Sequence, residues 1–177
     1  MFWLSGCPFT CDGCIVEELQ NGSLGSDITP KKLYKQIEYL LDSVDGVTFS
    51  GGEPLYQSAE LQEFINILPT SMDKMLFTGY SSSELNEEQK RCYELFDLVV
   101  EERFEKDKMG SFLWRGSSNQ KILSPTKKYN DIIDDILHAP SAGLHIDILD
   151  KEILYYGIPT KNNEIEKIEK MFYKKIR

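Results

Sequence analysis

Short apolar runs alternate with amphipathic stretches along most of this chain, and that alternation restricts the fold more than any other feature. Phe2–Leu4, Gly46–Ser50, Met75–Thr78 and Leu98–Val100 read as short buried strands. Between them Leu33, Ile37, Leu40, Leu41 and Val44 recur at helical spacing. That helix starts at Thr29-Pro30, a capping hydroxyl followed by a proline suited to the first helical position. Leu61, Phe64, Ile65 and Leu68 mark a second helix, and Glu84–Phe96 a third. In the third, Leu85, Cys92, Leu95 and Phe96 share one face, which makes Cys92 a buried core thiol. Asn21–Asp27 is a polar, Gly-rich connection, and Ser111–Leu123 carries one possible strand around Gly116. Ile132, Ile133, Ile136 and Leu137 suggest a further helix stopped by Pro140. Leu144–Leu149 and Glu152–Tyr156 alternate around Asp150-Lys151 as a hairpin, and Asn163–Ile176 reads as an amphipathic, Lys-rich helix.

This pattern predicts an α/β fold with a parallel sheet covered by helices. Right-handed crossovers then bring the C-terminal ends of the strands to one side, where such folds place their ligands. The loop after Leu4, Gly51-Gly52 and Thr78-Gly79-Tyr80 each follow a strand, so they are expected to meet at one mouth. A chain of 177 residues without an internal repeat or linker predicts one domain. A net charge of −9 excludes a chain that binds nucleic acid by bulk charge. No run approaches a membrane span, and Met1–Cys7 lacks the charged and apolar regions of a signal peptide, so the expected compartment is the cytoplasm.

Three of the four cysteines lie together, as Gly6-Cys7-Pro-Phe-Thr-Cys11-Asp-Gly-Cys14. In a reducing compartment that C-x3-C-x2-C cluster points to metal or redox chemistry. Thiolates favour iron–sulfur or zinc centres. Three ligands leave one corner of an iron–sulfur cube open to a substrate. A structural zinc would need a fourth donor, for which Cys92, His138 and His145 are the remote candidates. The second motif is Phe49-Ser50-Gly51-Gly52-Glu53-Pro54. Its glycines let the backbone approach a ligand, and exposed carbonyls with the Glu53 carboxylate suit an ammonium group. On its own the motif is also compatible with a plain strand-to-helix turn.

Together, C-x3-C-x2-C and GGEP resemble the radical S-adenosylmethionine (SAM) superfamily. The resemblance implies that Cys7, Cys11 and Cys14 ligate a 4Fe-4S cluster and that Gly51, Gly52, Glu53 and Pro54 cradle SAM. A closer similarity covers most of the chain. Val47–Tyr56, Phe77-Thr-Gly-Tyr80 and Trp114-Arg-Gly-Ser-Ser-Asn-Gln120 recur in this order in the activating enzymes of anaerobic ribonucleotide reductase and their small single-cluster relatives. It implies an incomplete (β/α) barrel as a single radical SAM domain, with a core over 1–126. A C-terminal extension over 127–177 then carries the hairpin and helix. It also implies SAM contacts from Thr78, Tyr80, Arg115, Ser117 and Asn119, and no acid–base catalyst beyond the cluster ligands.

The implied activity is reductive cleavage of SAM to a 5′-deoxyadenosyl radical that installs a glycyl radical on a partner enzyme, with a flavodoxin-like reductant. Other outcomes are a radical SAM enzyme acting on a peptide or small molecule, an iron–sulfur electron carrier, and a zinc-stabilised domain. The family's Asp-Gly after the fourth strand is Glu101-Glu102 here, so a glycine-dependent turn is expected to be lost. Gly13 replaces the frequent aromatic before the third cysteine, and Ile15-Val16 replaces an aromatic–Asn pair. The family's segment ahead of the cysteine loop has no counterpart before Phe2, so the start is expected to be trimmed, mis-started or naturally short.

Overall fold

Four strands pair in sequence order and in parallel: β1 (Phe2–Leu4), β2 (Gly46–Gly51), β3 (Asp73–Phe77) and β4 (Leu98–Glu101). A fifth, β5 (Lys121–Leu123), closes the sheet antiparallel to β4, with Val100 opposite Ile122. The computed structural model describes residues 1–139, the backbone of two further strands, and Lys167. Those strands, β6 (His145–Ile148) and β7 (Ile153–Tyr156), form the expected hairpin as a separate two-stranded sheet. The helix expected over 163–176 lies, apart from Lys167, outside the described residues.

The helices α1 (Pro30–Leu41), α2 (Ser58–Ile67) and α3 (Glu87–Tyr93) lie side by side, with α2 between its neighbours. The alternation of side chains along each strand decides what faces them. Val47, Phe49, Leu76 and Val99 point to the helices and pack with Leu61, Phe64, Ile65, Cys92 and Phe96. Phe49 is the hub of an aromatic group, with ring centroids 5.2 Å from Phe2, 6.1 Å from Phe64 and 5.7 Å from Phe96. Leu98 and Val100 point the other way, into a smaller cluster with Ile122 and Ile136. All four residues of β4 are therefore buried, whereas Trp3 of β1 is exposed.

Several expectations change in detail. β5 runs against β4, so the sheet is parallel in four of its five strands. The expected third helix, 84–96, is a turn of 3-10 helix at Ser82–Glu84 followed by α3. Asn86 divides them: its side chain accepts the Glu88 and Gln89 N–H groups, and Gln89 reaches back to the Asn86 N–H, a complete capping box. Thr29 precedes α1 as expected, but its hydroxyl makes no capping bond. Leu40 and Val44 are exposed, and the buried face of α1 runs through Leu33, Ile37 and Leu41. α4 (Ile133–His138) follows a 3-10 turn at Asn130–Ile132, and of the expected apolar set Ile136 alone is buried. Cys92 is fully buried, as its position on the helical face required.

Candidate active site

The cysteine loop leaves β1 through Gly6, whose φ of +98° suits glycine. The Gly6 N–H donates to the Leu19 carbonyl (2.7 Å) and the Cys7 N–H to that of Gln20 (2.9 Å), so the returning chain holds the loop at its root. Gly13, at φ +75°, turns the chain so that the Cys14 N–H reaches the Cys11 carbonyl at 3.3 Å. All three thiols are free and half-buried. Burial raises the pKa of Cys7, and Glu53, Cys11 and Cys14 push it the same way. Burial and then Cys14 raise that of Cys11, against the lowering effect of Arg103. Like charges press on one another only at close range, so the three thiols share one neighbourhood. Among the described residues no three Cys, His, Asp or Glu side chains converge on one point as ligands of a single metal ion. Three free, half-buried thiols on one loop are donors of the kind an iron–sulfur cluster takes.

β2 ends beside this loop. The Gly52 N–H donates to the Leu4 carbonyl (2.7 Å) and the Glu53 N–H to that of Gly6 (2.9 Å), while Gln57 Nε2 donates to the Ser5 carbonyl (2.7 Å). A Cβ on Gly51 would overlap the Leu4 backbone, and one on Gly52 the Gly6 carbonyl. The two glycines therefore serve first to seat the GGEP turn on the root of the cysteine loop. Gly51 also carries a φ of +108°. Glu53 is only 1% exposed. Its carboxylate accepts the Leu55 N–H (2.9 Å), the Thr78 hydroxyl (2.8 Å) and the Gly79 N–H (2.7 Å). Burial nevertheless pushes its pKa up to about 7. The carboxylate thus braces the ends of β2 and β3 against each other.

The ends of β3 and β4 complete the mouth. Thr78 is buried, and its hydroxyl, besides donating to Glu53, accepts the Tyr80 N–H at 3.2 Å. Tyr80 packs edge-on against Phe9 of the cysteine loop, with centroids 4.7 Å apart. Glu101 is buried and accepts the Ser82 N–H and the Tyr93 hydroxyl, both at 3.0 Å. The expected loss of a turn after β4 does not occur. Glu102 holds φ at +84°, so the backbone keeps a glycine-like conformation with a side chain in it. That costs on the order of 1–2 kcal/mol. Its N–H donates to the Tyr80 carbonyl (3.1 Å), and its carboxylate pairs with Lys121 (2.6 Å).

Between these loops lies a cavity of about 740 Å³, walled by Pro8–Cys11, Ser81, Glu84, Glu102–Glu105 and Asn119. That is ample for a cofactor of nucleoside size. Of the residues expected to touch SAM, Asn119 alone lines this cavity. Thr78, Tyr80 and Gly51–Pro54 do not line it, although Tyr80 packs on its wall residue Phe9 and the GGEP turn is bonded to the root of the cysteine loop.

The 115–120 segment folds largely onto itself. Gln120 Oε1 accepts the Gly116 (2.7 Å) and Ser117 (3.2 Å) N–H groups, and its Nε2 donates to the Glu102 carbonyl (3.0 Å). Ser117 is fully buried, its hydroxyl accepting the Glu105 N–H at 3.1 Å. Arg115 donates to the Gln120 carbonyl (3.3 Å) and lies over the Phe112 ring. Asn119 Nδ2 donates to the Arg103 carbonyl (2.9 Å). Among the described residues two buried atoms here have no hydrogen-bond partner, Asn119 Oδ1 and Arg115 Nε. Sequence reasoning missed Phe9, Glu84 and Arg103, and it read Glu102 only as the loss of a turn. A phenylalanine between two cysteines was the one available signal.

Comparison with known proteins agrees with this geometry. The family profile described as "4Fe-4S single cluster domain" matches residues 1–123, from β1 to the end of β5. The chain is 31% identical to the anaerobic ribonucleoside-triphosphate reductase-activating protein of Escherichia coli K12 over 129 residues, 68% of this chain and 84% of that protein. It is 33% identical to the protein of the same name from Vibrio cholerae over 129 residues (68% and 83%). With that of Enterobacteria phage T4 it shares 27% over 132 residues (71% and 83%).

Proposed function

The chain belongs to the 4Fe-4S single cluster domain family, and on that footing we propose that it is a radical SAM enzyme that installs a glycyl radical on an anaerobic ribonucleotide reductase or a similar partner. A 4Fe-4S cluster, when reduced, supplies the electron that cleaves bound SAM to methionine and a 5′-deoxyadenosyl radical. The observation that carries this reading is the zipper between the two motifs. The GGEP turn donates two backbone hydrogen bonds to the root of the loop that bears Cys7, Cys11 and Cys14.

In this reading the three cysteines hold the cluster and the backbone of Gly51–Pro54 faces the amine of SAM. Glu53 and Thr78 keep that turn rigid, because both side chains are buried in mutual hydrogen bonds. Asn119, which lines the cavity, is the side chain of the 115–120 segment placed to meet the rest of the cofactor. Ser117 and Tyr80 support the wall from behind. Residues 1–126 form an incomplete barrel, and 127–177 extend the same domain. Among the described residues, Trp3 is exposed on the face of β1 away from the helices, and that face is the one on which a loop of the partner would enter. The reductant is flavodoxin-like and the setting cytoplasmic. Among the described residues no helix is long and apolar enough to cross a membrane.

The test uses the reconstituted protein with a reductant, SAM and an anaerobic ribonucleoside-triphosphate reductase. Paramagnetic resonance should show a glycyl radical on the reductase, absent with Cys11→Ala. Release of 5′-deoxyadenosine without a radical on the reductase would retain the chemistry and overturn the partner.

A further inference from the structure

Beyond Cys7 the cysteine loop has little backbone anchorage. Among the described residues, the one backbone–backbone hydrogen bond across 8–14 is the internal one from Cys14 to Cys11, and Asp12 adds an exposed ion pair with Lys106. Gly13 lies against Phe104 and Lys106, and the ring of Phe9 fastens the near half of the loop to the sheet. Gly79 gives it a floor: a Cβ there would stand 2.8 Å from two ring carbons. Tyr80 meets it edge-on, and the Arg103 guanidinium lies 4.2 Å from its centroid.

Arg103 is itself fixed from two sides. Its Nη2 donates to Glu84 Oε1 at 2.9 Å and its Nη1 to Oε2 at 3.4 Å. Glu84 is pinned in turn at the exit of β3, where its Oε2 accepts the Ser81 N–H at 2.8 Å. The left-handed Glu102 precedes Arg103 and sets the direction in which it leaves β4. The function proposed above uses none of Phe9, Glu84 and Arg103.

We propose that Arg103 is a positioning residue for the cluster. Stacked on Phe9 and held by Glu84, it clamps the cysteine loop to the ends of β3 and β4, so that the thiols are pre-set before iron arrives. The inference rests on reading the three cysteines as cluster ligands. A planar guanidinium suits this better than an ammonium, because it stacks on the ring while its edge serves the carboxylate.

Hydrogen exchange on the iron-free protein tests the clamp. In Arg103→Met and Phe9→Leu, the Cys14 amide, the hydrogen-bonded N–H of the stretch, should exchange roughly three- to tenfold faster, the loss expected for one cation–π contact with its ion pair. Amides of β4 should not change. Phe9→Tyr, which keeps the ring face, should restore the wild-type rate, and Arg103→Lys should do so only in part. In the loaded protein, release of iron to a chelator should speed up by a similar factor in the first two variants. Unchanged exchange of the Cys14 amide would overturn the proposal. So would equal acceleration in β4, which would make Arg103 a residue of the whole fold. Full iron and sulfide retained by Cys11→Ala would instead overturn the cluster assignment, leaving the exchange result standing.

Discussion

Glu53 is an acid buried among protein donors, and its chemistry sets a pH dependence. The folded pKa is about 7 against an ordinary value of 4.5, raised by burial despite three hydrogen bonds. Between those values the folded protein keeps a proton that the unfolded chain has released. Stability therefore falls as pH rises through that window, by up to about 3 kcal/mol. Glu53→Gln cannot titrate, so its denaturation midpoints at pH 5 and pH 7.5 should differ less than those of the wild type by a contribution of this size. Equal pH slopes in the two proteins would refute the assignment. The sequence marked Glu53 as part of the motif but placed its carboxylate against a ligand. Its partners Thr78 and Gly79 lie on the next strand, and nothing in a linear pattern states which strand ends touch. Glu102 shows the same limit. A carboxylic acid in place of glycine suggested a lost turn, yet bonds to Tyr80, Gln120 and Lys121 hold the strained conformation in place.

Among elements, the strand ends of β1 and β2 are the most tightly coupled. The glycines of the second motif read in sequence as room for a ligand, and the structure adds that the first body they admit is the cysteine-loop backbone itself. Gly52→Ala should therefore cost about 2 kcal/mol or more, because a new Cβ meets backbone that cannot move aside cheaply. It should also lower cluster content after reconstitution. Unfolding curves and iron analysis read the two effects, and a variant with wild-type values in both would contradict the close approach. The helices were legible from their apolar spacing, since packing on a sheet demands it. Their ends were less so. Asn86 stops one run and starts another through capping bonds that the apolar pattern of 84–96 hides. The strand expected around Gly116 falls instead at β5, Lys121–Leu123, because the irregular segment from Glu102 to Gln120 has no periodicity to reveal where the chain doubles back.

For the molecule as a whole, the parallel pairing of the first four strands and the common mouth followed from the alternation of strands and helices. The loops after β1, β2, β3 and β4 do meet at one end of the sheet. Around that mouth Asp12, Glu84, Glu102 and Glu105 each pair with a cation: Lys106, Arg103, Lys121 and Lys108 respectively. Exposed pairs of this kind add little stability.

The most direct test of the account is anaerobic. The protein is reconstituted with iron and sulfide, reduced with dithionite and mixed with SAM, and 5′-deoxyadenosine is quantified by mass spectrometry beside Cys11→Ala. The account predicts product that depends on the cluster and is absent from the variant. No product from wild-type protein carrying a full cluster would contradict it, and equal product from Cys11→Ala would contradict it as well.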